Sequence, residues 1–286
     1  MALYLCLNED GSGVVSESNP IQTKHTSNGE PVVVPVYIVN DGKRSNVPND
    51  TNPPELIYTN VQVKIEGVGY TLESQLTAST SDVTVQLTGT DGWNIGTIIK
   101  SGLERMRIEE ILSSTSVRVQ RNYSADGRSS TIQNHTIGAN FISETLDVSL
   151  ALPSPTSQNE EGVFNSGGTA LTTGLDPTSL SGSIGSAESA NIITSTNASL
   201  YSEGNLIQID NEIMKIISIS GNNITVQRGY RSNRSAHSNG ATIYCVGIRD
   251  IGVTHKFFIK NDPPSGLPTQ KKRDIKIVLV SDEEPA

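Results

Sequence analysis

The chain repeats itself, and that constrains its fold more than any other feature. With Gly96 set on Gly204, the run Ile98-Ile99-Lys100-Ser101-Gly102-Leu103-Glu104-Arg105-Met106-Arg107-Ile108 lies on Leu206-Ile207-Gln208-Ile209-Asp210-Asn211-Glu212-Ile213-Met214-Lys215-Ile216. Further along, Val117-Arg118-Val119-Gln120-Arg121-Asn122-Tyr123 lies on Ile224-Thr225-Val226-Gln227-Arg228-Gly229-Tyr230, and His135-Thr136-Ile137-Gly138-Ala139 on His237-Ser238-Asn239-Gly240-Ala241. The offset between copies shrinks from 108 residues at the glycines to 107 at the arginines and 102 at the histidines. Loop-length changes between conserved strands produce such a drift. Self-similarity at a fixed period marks a supersecondary unit used twice.

The unit reads as β-structure. Met214-Lys215-Ile216-Ile217-Ser218-Ile219 alternates as a half-buried strand does, and Gly221-Asn222 supplies turn residues between it and Ile224-Thr225-Val226. Ala241-Thr242-Ile243-Tyr244-Cys245-Val246 closes the unit as another strand, and nothing in it keeps helical spacing. The composition agrees: aromatic residues are 5% and charged residues 18% of the 286, and Ser, Thr, Asn and Gly fill the difference. That mixture suits strands joined by polar turns.

These residues resemble a module found repeatedly in virion structural proteins of tailed bacteriophages, particularly tail-associated ones. The second copy carries the likeness nearly throughout, in Ile207-Gln208-Ile209, Glu212-Ile213-Met214, Thr225-Val226-Gln227-Arg228-Gly229-Tyr230 and His237-Ser238-Asn239-Gly240-Ala241-Thr242-Ile243. The first copy departs from it at Asn122, where the second has Gly229, and in a longer loop. The resemblance covers roughly 75–143 and 187–247. It implies a virion protein of the tail or baseplate, working as a homo-oligomer among other virion proteins, and it brings no catalytic residue, cofactor or metal. The alternatives are a capsid decoration or neck protein, and a receptor- or glycan-binding fibre module.

Outside the repeats the chain reads differently. Pro31–Val39 is an apolar run broken by Pro35, expected as an edge strand because proline cannot donate to a ladder. Val61–Ile65, Val253–Ile259 and Ile275–Val280 read as three more strands. The expected fold is all-β: residues 1–69 and 248–286 form one Ig-like β-sandwich, with two small β-repeat domains inserted at 70–147 and 187–247. Residues 148–186, rich in Ser, Thr, Gly and Pro, are expected as a linker or arm.

Candidate chemistry is sparse. The formal net charge of −9 argues against a phosphate-neutralising surface, and the clearest basic run, Lys271-Lys272-Arg273, meets Asp274 at once. No apolar stretch is long enough to span a bilayer. The four histidines, His25, His135, His237 and His255, have no metal-ligand spacing. His135 and His237 hold equivalent places and are expected to brace a loop by bonding backbone. Asn8-Glu9-Asp10-Gly11-Ser12-Gly13 reads as a turn, and Cys6 and Cys245 as small buried hydrophobes. Glu104 and Glu212 each have a basic residue three positions on, Arg107 and Lys215, and are expected in local surface pairs at a hairpin turn, with Arg121 and Arg228 anchoring the next loop. Trp93 and Tyr201, just upstream of the repeat glycine, are expected to pack rather than to stack on a sugar.

Overall fold

The structure is a computed structural model, and it describes residues 3–16, 20–22, 30–42, 56–79, 81–165, 170–171, 174–262 and 275–285. The described residues hold twenty strands, one 3₁₀ turn at Ala198–Leu200 and no α-helix. The chain opens with β1 (Leu3–Cys6), β2 (Val32–Asn40) and β3 (Leu56–Gly67). The first repeat supplies β4 (Gly69–Thr71), β5 (Val83–Gln86), β6 (Ile98–Ser101), β7 (Glu104–Ser113), β8 (Ser116–Gln120) and β9 (Asn140–Ser143). Then come β10 (Val148–Ala151), β11 (Pro153–Ser154) and β12 (Ser157–Glu161). The second repeat supplies β13 (Leu175–Ser179), β14 (Ile192–Thr194), β15 (Leu206–Ile209), β16 (Glu212–Ser220), β17 (Asn223–Gln227) and β18 (Thr242–Ile248), and β19 (Thr254–Asn261) and β20 (Ile275–Pro285) end the chain.

The two repeats have one topology. The first sheet runs β4-β9-β6-β7-β8-β5, and the second runs β18-β15-β16-β17-β14 with β13 paired to β18 as β4 is to β9. Each sheet then curls until its two ends meet. In the first, Leu72 bridges Leu87 and Thr88 N–H donates to Thr71 O at 2.9 Å. In the second, Leu180 bridges Ser195 and Thr196 N–H donates to Ser179 O at 2.9 Å. Both are small closed barrels, a form that removes exposed strand edges. The second barrel therefore begins at β13, a dozen residues before 187, where the strand signal of Leu175-Asp176-Pro177-Thr178-Ser179 is masked by its proline and aspartate.

Turn chemistry shows how the two copies differ in sequence without differing in shape. The β6–β7 turn needs a left-handed residue, supplied by Gly102 (φ 61°) in one copy and Asp210 (φ 52°) in the other. After β8 and β17 the same need is met by Asn122 (φ 52°) and Gly229 (φ 64°). Asn and Asp tolerate this region better than other side chains, so the exchange preserves the backbone.

Strands from the two ends of the chain pair directly. β2 and β19 run antiparallel from Val32 opposite Asn261 to Val39 opposite Thr254, and β3 and β20 from Leu56 opposite Pro285 to Gly67 opposite Ile275. The four-stranded sheet β1-β2-β19-β10 packs its apolar face on the β3–β20 ribbon, giving a sandwich. β2 is an interior strand of that sheet, not the expected edge. Pro35 is accommodated because the β1 ladder stops at Cys6 opposite Tyr37, so β19 alone flanks β2 at the proline.

Residues 148–186 are not the expected linker. Val148, Leu150 and Ala151 of β10 are buried, and the strand completes the terminal sheet beside β19. β11 and β12 form a hairpin against it, and β13 belongs to the second barrel. Ser166-Gly167-Gly168 lies outside the described residues. Alternation on β10 is absent because both its faces are covered, so periodicity gave no signal.

The cores divide unequally. Leu72, Leu87, Ile99, Met106, Ile108, Val117, Val119 and Phe141 make a separate core inside the first barrel. In the second barrel Ile207, Met214, Ile216 and Val226 belong to one cluster with Val36, Ile38, Leu150, Phe257 and Ile259 of the sandwich. Met106→Ala and Met214→Ala, both at fully buried equivalent positions, should each cost about 2–5 kcal/mol. Calorimetry should show Met106→Ala lowering one unfolding transition alone, and Met214→Ala lowering a larger one that includes the sandwich. A single transition moved alike by both would contradict this division.

Candidate functional site

Each barrel is built around a buried ionic node. Glu104, at the start of β7, is fully buried, and Arg121, just past β8, clamps it in a fork: Nε donates to Oε1 at 2.8 Å and Nη2 to Oε2 at 2.6 Å. Gln133 N–H donates to Oε2 at 3.0 Å, and His135 Nε2 lies 2.9 Å from the same oxygen. The second barrel repeats this. Arg228 Nε and Nη2 each reach Glu212 at 2.7 Å, Gly229 and Ser235 N–H groups donate at 2.9 Å, and His237 Nε2 lies 2.9 Å from Oε2. The second ring nitrogen of His237 sits 2.7 Å from Asp210 Oδ2.

The arginines use their remaining donors on backbone carbonyls, Thr77 and Gln133 for Arg121, and Gly185, Ala190 and Ser235 for Arg228. One node thus ties together the strand-opening glutamate, the loop after β8 or β17 and the loop that carries the histidine. The expectation of local surface pairs is corrected: Glu104 binds Arg121 rather than Arg107, and Glu212 binds Arg228 rather than Lys215. Arg107 instead faces Glu109 at 3.3 Å, and Lys215 lies over the Tyr230 ring at 5.8 Å. The histidine rings contact carboxylate rather than the expected backbone. It is their main chains that bridge Leu76 and Ile184. A three-residue spacing cannot form this pair because successive strand residues face opposite sides of the barrel.

Burial pushes both carboxyls up, but the donors around them outweigh it. Hydrogen bonds from Arg121, Gln133 and His135 hold Glu104 below its ordinary value. Those from Arg228, Ser235, His237 and Gly229 bring Glu212 down to about 2. With every oxygen engaged and no solvent access, neither carboxylate is placed to act on a substrate.

A second buried network belongs to the first barrel alone. Arg105 donates from Nε and Nη2 to Glu144 at 2.7 Å, and from Nη1 and Nη2 to Asp126 at 2.8 and 2.5 Å. These bonds lower Asp126 to about 2 against the opposing effect of burial. The equivalent residue of the second barrel is Ile213. A charged residue where its twin is apolar was a readable signal, and the alignment left it unused.

His255 on β19, to which the sequence assigned no role, joins sandwich to second barrel. It is fully buried, its Nδ1 pairs with Asp176 of β13, and its Nε2 lies 3.4 Å from Asp250 Oδ1. Burial works against its charge, but the two carboxylates prevail and raise its pKa to about 10. Asp176 accepts a left-handed backbone (φ 47°) at a strand irregularity to reach it. Separations of 79 and 5 residues carry no motif, so only the fold brings the three together.

The other candidates are structural. Trp93 is buried, donates Nε1–H to Val68 O at 3.0 Å and meets Tyr70 edge-on at 5.0 Å. Tyr201 is buried and hydrogen-bonded to Thr178 and to the Asp176 and Ile243 carbonyls. Cys6 and Cys245 are buried free thiols. Asn8–Gly13 closes on itself through Asn8 Nδ2–H to Ser12 Oγ and Ser12 N–H to Asp10 Oδ1. His25 and Lys271–Asp274 lie outside the described residues. Among the described residues no three His, Cys, Asp or Glu side chains converge to hold a metal, and no helix is long and apolar enough to cross a membrane. An open cleft of about 540 Å³ lies by Lys100–Gly102 and Asn140–Leu146, and its one carboxylate, Glu144, is already held by Arg105.

Two stability predictions follow from these groups. Arg228→Met strands the Glu212 charge and should cost about 3–5 kcal/mol in chemical denaturation, whereas Glu212→Leu with Arg228→Met should recover part of that loss. Because Glu212 is depressed when folded, its contribution is present above pH ~4.5 and drains away as pH falls toward 2. His255 has the opposite sign: its contribution is complete below pH ~6.5 and is lost as pH rises through about 10. Thermal midpoints measured from pH 6.5 to 10 should therefore fall more steeply for the native chain than for His255→Gln; equal slopes would refute the charged assignment.

The chain matches no protein-family model, no curated protein and no solved structure.

Proposed function

We propose that this protein is a structural component of a tailed-bacteriophage virion, placed in the tail or baseplate and acting through subunit contacts rather than catalysis. The observation that supports this reading best is a coincidence of residues. Those that carry the resemblance to tail-associated modules, Glu212, Arg228, Gly229 and His237, are the ones that lock a closed barrel together, and the first copy preserves the lock with Glu104, Arg121 and His135. A locked unit, used twice, suits a part whose work is to hold shape and spacing. In a ring of identical subunits, individually weak contacts are multiplied by symmetry.

Cryo-electron microscopy of intact particles tests the reading. The expected result is density for two barrels on one sandwich, repeated around the tail axis at the tip or baseplate. The same density on the capsid or neck would replace tail placement by a decoration or neck role. Particles with no ordered copy, together with specific binding of the isolated protein on a glycan array, would favour a receptor-binding fibre module instead.

A further inference from the structure

The barrels close, and both edges of the four-stranded sheet are partly covered. Val15 N–H donates to Leu5 O beside β1, and Asn165 exchanges hydrogen bonds with Leu150 beside β10. β20 differs. It is eleven residues long, it pairs along β3, and among the described residues no backbone hydrogen bond reaches its other edge. A long, open edge is a template for another strand, and proteins that avoid such pairing blunt the edge with proline, inward charge or brevity. From Ile275 to Val280 β20 has one charged residue, Lys276, and no proline, and its three acids and Pro285 are confined to the far end.

We infer that β20 pairs antiparallel with β20 of a second copy of this chain, making a two-fold dimer by β-strand addition. The strand's charge distribution selects this partner. Lys276 stands at one end and Asp282-Glu283-Glu284 at the other; within the chain Glu284 also pairs with Arg231 and Asp282 accepts from Asn60, and antiparallel self-pairing adds each Lys276 to the acidic end of its mate, twice over. A parallel arrangement would set like charge on like. The β3–β20 irregularity between Val280 and Asp282 shifts the register by a residue without moving lysine away from acid. Val280, 42% exposed, falls near the two-fold axis. Ile275, Ile277 and Leu279 pack against the sandwich core, leaving Lys276, Val278 and Val280 on the other face, where the two strands would share an apolar strip. A two-fold contact of this kind is self-complementary and closes at two copies.

A contact that closes at two copies does not itself build a ring, so the inference adds a second contact to the assembly role proposed above and rests on that role only for its biological purpose. Pairing is tested in solution and placement in the particle, so either can fail alone. The experiment is sedimentation equilibrium of the full chain over a concentration series, with thermal unfolding as the folding control. The native protein should show a monomer–dimer equilibrium. Val280→Lys puts two cations face to face at the axis, and Lys276→Glu meets acid with acid; each should weaken association by roughly tenfold or more, about 1.4 kcal/mol. Ile217→Lys, at an exposed site on the second barrel, should leave it unchanged. A native chain that stays monomeric throughout, or a dimer that Val280→Lys and Lys276→Glu leave intact while folded, would overturn the inference.

Discussion

The buried arginine–glutamate fork at one end of each barrel is the interaction on which the architecture depends. A small barrel must hold its loops at one end without a large core, since six short strands enclose few side chains. Here a buried guanidinium satisfies a buried carboxylate in two parallel bonds and spends its other donors on loop carbonyls. The histidine and one backbone N–H in the first barrel, or two in the second, complete the carboxylate shell, leaving no orphaned charge. Such a node adds less net free energy than its bond count suggests, because both ions leave water. Its effect is specificity: only one arrangement of three segments satisfies all the donors, and any other leaves a charge buried alone.

The same logic at a different scale explains why the two barrels are not equivalent in the whole molecule. The first keeps its core to itself and carries the extra Arg105–Asp126–Glu144 network. The second fuses its core with the sandwich, and His255 between Asp176 and Asp250 pins the junction. Where β18 runs on to pair with β3 at Gly247 and Ile248, the equivalent stretch of the first copy turns away after Ser143 to feed β10. Duplication supplied two similar units, and the flanking strands made one of them part of the frame.

The duplication was legible in the sequence because strand alternation and the Glu, Arg and His anchors recur in order, although the buried glutamates read as surface residues. Asn122 against Gly229 read as a departure, and only the backbone shows that the two, like Gly102 and Asp210, fill the same left-handed turn position. What escaped was anything long-range. Glu104 looked paired with Arg107 because sequence distance was the only distance to hand, whereas neighbouring strands bring Arg121 closer. β10 looked like linker because a strand covered on both faces shows no alternation, and β2 looked like an edge because Pro35 could not be seen to sit beyond the end of β1.

By itself, then, the sequence determined an all-β chain and a duplicated unit with its turns. These are consequences of local geometry: period-two patterning, left-handed turn positions, and side chains that recur at matched places. The tertiary structure alone decided which carboxylate meets which cation, that β10 and β13 complete two sheets, and that His255 lies between two aspartates. Those outcomes depend on distances across the fold, which burial and strand pairing set and which residue spacing does not encode.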